Sequence, residues 1–313
     1  MSPLTAADDG FHPVADPDPM WTETTWWGLV VPDRSLGGQI YTLFRPNLGV
    51  ASLVVQVWDA SAVEPWLVPY ARTLWHVPYP DTDLTRCQVA DLSIECIEPL
   101  TKYHLSFNDR DLLSFDLDYV ALAPPDEASV GGGSGHFDQA CRVVGDLHSG
   151  PETIGVDASV VRDRSWYVRR DQRSLREGYT YGIVDASEHC VAHSFAAPDA
   201  TEDETTILSG YFVRDGHKAK LVAGTRRVLA RRRGHPDVIE LVATDADGRE
   251  LIATARTLAS LASQSTPGMF SWMSVAEWDI AGRAAHGEDH DVWSPDLLAK
   301  RSSDVRSGRP PAS

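Results

Sequence analysis

The stretch that decides the fold is GGGSGHFDQACRVVGDLHSGPETIGVDASVVRDRSWYVRR, residues 131–170. It opens with a glycine-rich hinge, continues with two alternating strand-like runs and ends in a charged cluster with an indole. Because successive side chains of a strand point to opposite faces, Arg162, Arg164 and Trp166 share one face and Asp163 lies on the other. Two interpretations follow. The cluster is either a solvated strand end with an exposed ion pair, or a buried charged group at the mouth of a barrel, where a perturbed carboxylate can act as an acid.

Short strand-like runs continue on both sides of this stretch. Runs at 23–31, 38–44 and 49–59 are separated by the turn-forming sequences PDRSLGG and RPNLG, which is typical of an antiparallel meander. Asp-Gly turns at 215–216 and 247–248 predict two later hairpins. About 14–16 short strands, with ARTLASLAS as the best helical candidate, predict an all-β sandwich or barrel.

The central stretch resembles a known family. The segments that carry the resemblance are GHFDQ (135–139), CRVVG (141–145) and RDRSW (162–166). They are similar to the central signature of the hydroxyneurosporene synthase (carotenoid 1,2-hydratase) and AttH-like lipocalin superfamily, which has kievitone hydratase and fungal Diels–Alder cyclases as distant members. In that superfamily a strand ends in an Asp-His-x-Trp-Gly-like motif at the junction of two barrels. Asp163 and Trp166 match the motif. Arg164 stands where the motif has His, and Tyr167 stands where it has Gly.

The resemblance implies two tandem lipocalin-like antiparallel β-barrels, and a chain of 313 residues supplies the length that two such domains need. We expect the first barrel over residues 20–170 and the second over residues 171–293. Residues 1–19 are acidic and broken by prolines, which predicts a disordered arm. Residues 294–313 are predicted to be a disordered tail.

Composition and charge exclude several kinds of partner. With 28 basic and 45 acidic residues the net charge is −17, which disfavours binding to nucleic acid or to an anionic membrane surface. No apolar run reaches the roughly 18 residues of a membrane span, and no secretion signal is visible, so we expect no membrane insertion. The four cysteines lack ligand spacing, which indicates reduced thiols in a cytoplasmic protein. The ten tryptophans favour an apolar ligand cavity.

Asp163 is the leading candidate for catalysis. The resemblance implies protonation of a double bond, which requires a carboxyl group kept neutral in an apolar pocket and aromatic faces that stabilise a cation. Asp163 beside Trp166 fits this role as a proton donor. An ion pair with Arg162 or Arg164 would lower the pKa of Asp163 and make the residue structural instead. Both alternatives stay open.

Two further residues are candidates for positioning water. His136 can supply the imidazole that Arg164 replaces, or it can be an ordinary surface or core histidine. Glu277 lies in the apolar run WMSVAEW, where a carboxylate is either turned to water or held in a pocket. The residues that we assign to substrate binding are Trp166, Arg164, Trp27, Gln139 and Trp272.

Motifs for most other chemistries are missing from the sequence. There is no GxSxG elbow, no reactive-cysteine signature and no dinucleotide fingerprint, and the glycines of the hinge do not form a phosphate-binding pattern. The run HGEDHD at 286–291 offers five potential metal ligands but lacks the HExxH spacing, so we predict a charged loop there and no metal site. We expect no cofactor.

From these observations we expect a cofactor-independent hydratase or dehydratase acting on an unsaturated hydrophobic small molecule such as a terpenoid, a steroid-like compound or a polyketide. The apolar pocket is expected at or near the junction of the barrels. An isomerase or cyclase on a similar substrate is an alternative, including a pericyclase that works by folding its substrate. A non-catalytic carrier of a hydrophobic ligand is the alternative outside the enzymes. The sequence leaves open whether the chain forms a homodimer.

Overall fold

The structure, a computed structural model, describes residues 4–131, 134–170, 175–196 and 203–307. These residues form 19 strands and one α-helix, together with three short 3-10 helices. The predicted all-β class is therefore confirmed. None of the helices within the described ranges is long and apolar enough to cross a membrane.

The chain divides into two units. Unit 1 contains residues 1–57 and 69–170, and unit 2 contains residues 58–68 and 171–313. The division after Arg170 falls where the sequence places the end of the first barrel. The short excursion of residues 58–68 into unit 2 was not expected.

Unit 1 is an antiparallel sheet of eleven strands that nearly closes into a barrel. Its strands are β1 (Trp21–Val31), β2 (Leu36–Arg45), β3 (Val50–Trp58), β4 (Tyr70–Pro78), β5 (Arg86–Val89), β6 (Leu92–Glu98), β7 (Lys102–Asp109), β8 (Leu113–Ala121), β9 (Asp126–Gly131), β10 (Ser134–Ser149) and β11 (Glu152–Val168). They follow the order β4-β3-β2-β1-β11-β10-β8-β7-β6-β5, and β9 pairs with β10. The first strand thus lies beside the last, with Trp27 opposite Arg162.

The stretch chosen from the sequence forms the β10–β11 hairpin, paired from Gly135 with Trp166 to Ser149 with Glu152. At the β11 end of this hairpin, Arg162 and Arg164 are each 1% exposed. The interpretation as a buried charged cluster is confirmed, and the solvated strand end is wrong.

Residues 4–19 belong to unit 1, and the prediction of a disordered arm is wrong for them. A 3-10 helix forms at Ala6–Asp9. Asp9 is buried, and its carboxylate accepts hydrogen bonds from the hydroxyl of Tyr103 at 2.7 Å and from the guanidinium of Arg162. An acidic, proline-rich composition indicates disorder only if the acids remain solvated, and here one of them neutralises a buried cation.

Unit 2 is a closed barrel of eight strands, each paired with its neighbours along the chain, and the last strand pairs with the first. Its strands are β12 (Arg176–Asp185), β13 (Glu188–Phe195), β14 (Glu204–Arg214), β15 (His217–Arg232), β16 (His235–Asp245), β17 (Glu250–Thr266), β18 (Met269–Ile280) and β19 (Arg283–Trp293). Helix α1 (Pro295–Ser307) follows, where a disordered tail was predicted, and residues 308–313 lie outside the described ranges. Two tandem barrels, the predicted architecture, are therefore present.

Local predictions in unit 2 have mixed outcomes. The Asp-Gly hairpin is confirmed, since Asp215 and Gly216 adopt φ values of 53° and 74° between β14 and β15. The helix predicted for ARTLASLAS is wrong, because this segment is part of β17 and pairs with β16 and β18. The charged loop predicted at 286–291 is also wrong, because all six residues lie in β19.

A close backbone approach in unit 1 gives a test of the β8–β10 pairing. A Cβ on Gly145 would lie 2.0 Å from the carbonyl oxygen of Asp116, and φ at Gly145 is +154°. A Cβ on Gly155, in the partner strand of the same hairpin, would meet no heavy atom within 4 Å. The two glycines therefore form a matched pair.

We expect Gly145→Ala to lower the free energy of unfolding by about 2–5 kcal/mol, because backbone strain and overpacking add. Gly155→Ala should change it by less than about 1 kcal/mol. Urea unfolding followed by circular dichroism measures both variants. Equal stabilities would contradict the described strand pairing.

The burial of Asp9 yields a second test. Asp9→Asn removes the charge that neutralises Arg162, and breaking a buried pair from one side costs about 3–5 kcal/mol. Asp33→Asn, at an exposed position, should alter stability by less than about 0.5 kcal/mol. If thermal unfolding shows the two variants to be alike, residues 4–19 do not hold the place described for them.

Candidate functional site

The two faces of β11 define two side-chain clusters in unit 1. As the alternation predicted, Arg162, Arg164 and Trp166 point into the barrel and Asp163 points to the opposite, outer face. We call the inward set the arginine cluster: Asp9, Glu23, Tyr103, Gln139, Arg162 and Arg164. We call the outward set the outer-face cluster: His136, Asp138 and Asp163.

Arg162 lies at the centre of the arginine cluster. Its guanidinium carbon is 3.9 Å from the ring centroid of Tyr103, 5.0 Å from that of Phe137 and 5.3 Å from that of Trp27, so three aromatic rings stabilise the charge. Its Nε donates to Oε1 of Gln139 at 2.8 Å, and its Nη2 donates to Oδ1 of Asp9 at 3.0 Å. The chain itself therefore neutralises this cation.

Arg164 is held in the same way. Its Nη2 donates to Oε2 of Glu23 and to the carbonyl oxygen of Gly10, both at 2.9 Å. Burial lowers the pKa of Arg164, while the charge of Glu23 acts in the opposite direction. Glu23 also accepts a hydrogen bond from the backbone N–H of His12 at 2.9 Å, and the ring of His12 stacks on Trp166 at 3.7 Å.

Four of the five residues predicted to bind substrate belong to the arginine cluster or pack against it. They are Trp27, Gln139, Arg164 and Trp166. All four are buried, and their described contacts are made with other parts of the chain. Their role in substrate binding remains a prediction. Arg164 and Trp166 hold the N-terminal segment through Gly10 and His12, and Trp27 and Gln139 contact Arg162.

The outer-face cluster brings together the two leading candidates from the sequence. Asp163 lies directly opposite Asp138 in the β10–β11 ladder, a position in which Cβ atoms are about 4.5–5.5 Å apart. Nε2 of His136 lies 3.2 Å from Oδ2 of Asp138. The sequence did not single out Asp138, although its position two residues after His136 on a strand places both on one face.

Asp163 is not the ion-pair partner of either neighbouring arginine. Arg162 pairs with Asp9 at 3.0 Å, and Arg164 pairs with Glu23 at 2.9 Å. The alternation of β11 thus separates Asp163 from both guanidinium groups, and a catalytic role for Asp163 remains a prediction.

The charges of the outer-face cluster favour an imidazolium. Burial alone would lower the pKa of His136, but the charge and hydrogen bond of Asp138, together with the charge of Asp163, raise it above its ordinary value of 6.5. Tyr41 lies on a strand nearby. Burial raises the pKa of Tyr41 to about 12, with a smaller contribution from Asp163, so its hydroxyl remains neutral.

The two remaining predicted residues lie in unit 2. Glu277 on β18 is exposed. Its carboxylate therefore faces water and is not held in a pocket, which is the first of the two alternatives that the sequence left open. Trp272 is half-buried and packs edge-on against Phe270, with ring centroids 5.0 Å apart. The contacts of these two residues do not indicate a pocket.

Sequence reasoning missed the buried charges of β19. Asp289 accepts two hydrogen bonds from Arg226, and Asp291 pairs with Arg231 at 2.8 Å. Glu288, directly before Asp289, is also fully buried. A signal was present, because Asp289 and Asp291 have the period of two that places both carboxylates on one strand face, opposite Glu288.

Comparisons with solved structures show the same fold in other proteins. An AttH-like protein (NE1406) from Nitrosomonas europaea has a TM-score of 0.62 at 14% identity, covering 93% of this chain and 97% of that one. Kievitone hydratase from Nectria haematococca has a TM-score of 0.58 at 11% identity, covering 93% and 95%. CghA with Sch210972 has a TM-score of 0.56 at 13% identity, covering 88% and 89%. The fold that the central stretch implied is thereby confirmed.

Sequence comparisons place the chain in a family. No curated protein matches it by sequence. The family described as "Domain of unknown function (DUF7064)" matches residues 5–288, which is most of both units. The chain therefore belongs to the DUF7064 family.

Proposed function

We propose that this protein is a cofactor-independent enzyme that adds water to, or removes it from, a double bond of an unsaturated hydrophobic small molecule. The observation that carries the proposal is the outer-face cluster, in which an imidazole with a raised pKa lies beside two carboxylates on paired strands.

Hydration and dehydration both need one group that donates a proton and one that accepts a proton. An imidazolium at His136 supplies the donor near neutral pH, and the Asp163 carboxylate supplies the acceptor that activates or receives water. The proposal thus exchanges the roles assigned from the sequence, where Asp163 was the donor and His136 positioned water. Asp138 keeps the imidazole charged and oriented.

The acidity of the proposed proton donor, the His136 imidazolium, restricts the kind of double bond on which the enzyme can act. An imidazolium is a weaker acid than a neutral carboxyl group, so it is better suited to protonating oxygen than an isolated alkene carbon. We therefore infer a double bond adjacent to a carbonyl or hydroxyl oxygen, as found in many terpenoids, steroid-like compounds and polyketides. The same proton exchange without water would give an isomerase or a cyclase.

Two of the structural neighbours support a small-molecule substrate. One is named as a kievitone hydratase, and another was solved with the small molecule Sch210972. A carrier that binds such a molecule unchanged is the alternative outside enzymes. An ion pair between Arg164 and Asp163 would suit a carrier better than an enzyme, and Arg164 is instead paired with Glu23.

The proposal predicts turnover that depends on the outer-face cluster. A panel of enones and hydroxyketones is incubated with the protein in heavy-oxygen water and analysed by mass spectrometry. We expect at least one product that carries a single labelled oxygen. His136→Gln and Asp163→Asn should each lower kcat/KM by about 10²–10⁴-fold, the typical contribution of general acid–base catalysis.

Matched controls lie on the same two strands. His148→Gln on β10 and Asp157→Asn on β11 change exposed groups and should leave kcat/KM within about twofold. An isomeric product without label would make the enzyme an isomerase or cyclase. Unchanged ligand, or full turnover in both site variants, would contradict the proposal.

The raised pKa of His136 also predicts the shape of the pH profile. If the imidazolium is the donor, kcat/KM should fall as pH rises through the raised pKa of His136, at a pH above 6.5. Asp138→Asn removes a charge that raises this pKa, so the descending limb should move to lower pH. A profile with no such limb, or a limb that Asp138→Asn does not move, would exclude His136 as the acid.

A further inference from the structure

The outer face of unit 2 carries exposed aliphatic side chains. Along β14, β15, β16 and β17, buried residues that face the barrel interior alternate with residues that face outward. Among the outward residues, the exposed fractions are 65% for Leu208, 61% for Val222, 36% for Val242 and 52% for Ile252. Single exposed aliphatic residues are ordinary, whereas a contiguous group of them marks an interaction site.

The strand register makes these side chains neighbours. Val242 on β16 lies directly opposite Ile252 on β17 and Thr225 on β15. Thr225 lies opposite Thr206 on β14, and Leu208 is two residues further along that strand. A row of uncharged side chains therefore crosses four strands. We call its contiguous members the β14–β17 patch: Leu208, Val222, Ala223, Thr225, Val242 and Ile252.

The rest of the chain does not supply a cover for this patch. Residues 1–3, 132–133, 171–174, 197–202 and 308–313 lie outside the described ranges. Apart from Met1 they contain only Gly, Ala, Pro and polar residues, so they lack the large apolar side chains that a cover needs. An occupant of the patch is therefore another molecule.

Backbone pairing restricts how that molecule binds. Each of the strands β14–β17 is paired with a neighbour on both of its sides. An occupant therefore cannot join the sheet as an added strand and has to pack its side chains against the face.

The charges around the patch are of both signs. Arg227 on β15 is ion-paired with Glu240 on β16. The charged residues that flank the patch on these four strands are Lys220, Arg227 and Arg256, together with Glu204, Glu240 and Glu250. The whole chain has a net charge of −17, which makes two copies repel each other, but this face is locally balanced. An apolar centre with a rim of both signs can complement a second copy of itself.

The size of the face agrees with a weak dimer. Four strands about 4.8 Å apart, with the flanking rows included, cover roughly 20 Å by 25 Å. Two such faces bury about 1,000 Å² in total, which is at the lower end for specific interfaces. We therefore expect a dissociation constant of about 10–100 μM.

We propose that the β14–β17 patch is the contact surface of a two-fold symmetric homodimer, with Val242 and its copy near the symmetry axis. The second copy supplies an apolar centre of equal size and charges of both signs. The proposal does not rest on the reaction proposed at His136, because the patch lies on unit 2 and its readout is molecular mass.

Sedimentation velocity of the full-length protein between about 1 and 300 μM tests the proposal, since this series brackets the expected dissociation constant. The weight-average mass of wild type should rise towards twice the monomer mass. Val242→Glu places a charge at the centre of the contact and should weaken the dimer at least tenfold. Val120→Glu changes a valine of similar exposure, 40%, on β8 of unit 1 and should leave the dimer unchanged.

A mixture of two variants tests whether the patch pairs with itself. Val242→Glu and Val242→Lys should each be monomeric alone, and an equimolar mixture should regain the dimer because opposite charges then meet near the axis. Circular dichroism checks that the variants fold. If Val242→Glu does not fold, Ile252→Glu, directly opposite it and more exposed, takes its place.

Several results would overturn the proposal. They are a wild type that stays monomeric at the highest concentration, a dimer that survives both Val242→Glu and Ile252→Glu, and a mixture of the Val242 variants that stays monomeric. Species that grow beyond a dimer would also overturn it, because they require contact between two different surfaces.

Discussion

A buried guanidinium needs a counter-charge in direct contact with it. In unit 1 this requirement connects the last strand of the barrel with the first strand and the segment that precedes it. Arg162 and Arg164 project inward from the last strand. Their counter-charges, Asp9 and Glu23, come from the segment before the first strand and from the first strand itself. The pairing of β1 with β11 and the two ion pairs therefore support each other, since both bring the start of unit 1 against its last strand.

Unit 2 meets the same constraint with a different set of strands. Arg226 on β15 is neutralised by Asp289 on β19 inside a fully closed barrel. In both units a strand near the end of the barrel carries charges to its two faces. The inward carboxylates form ion pairs with the arginines in both units.

The sequence predicted those features that depend on neighbours within a hairpin. Alternation along β11 correctly placed Asp163 on the face opposite Arg162 and Arg164. Predictions from the sequence were wrong where the contact that determines the structure joins residues far apart in the chain. Asp9 looks like a solvated acid until Arg162, 153 residues later, is placed beside it. The charges of β19 look like a loop until the arginines of β15 are known. In ARTLASLAS the helical tendency of Ala and Leu is overridden by pairing on both sides.

The separation of Asp9 from its partner has a consequence for synthesis of the protein. Residues 4–19 leave the ribosome well before β11, the strand that holds them, which is the last strand of unit 1. Until β11 has been synthesised, the edge of β1 that pairs with β11 has no partner strand, and apolar side chains of β1 that are buried in the folded protein are exposed. Contacts of such long sequence separation close slowly. The nascent chain of unit 1 is therefore exposed to aggregation until residue 168 has emerged, and chaperones that bind nascent chains would be most useful to this protein before that point.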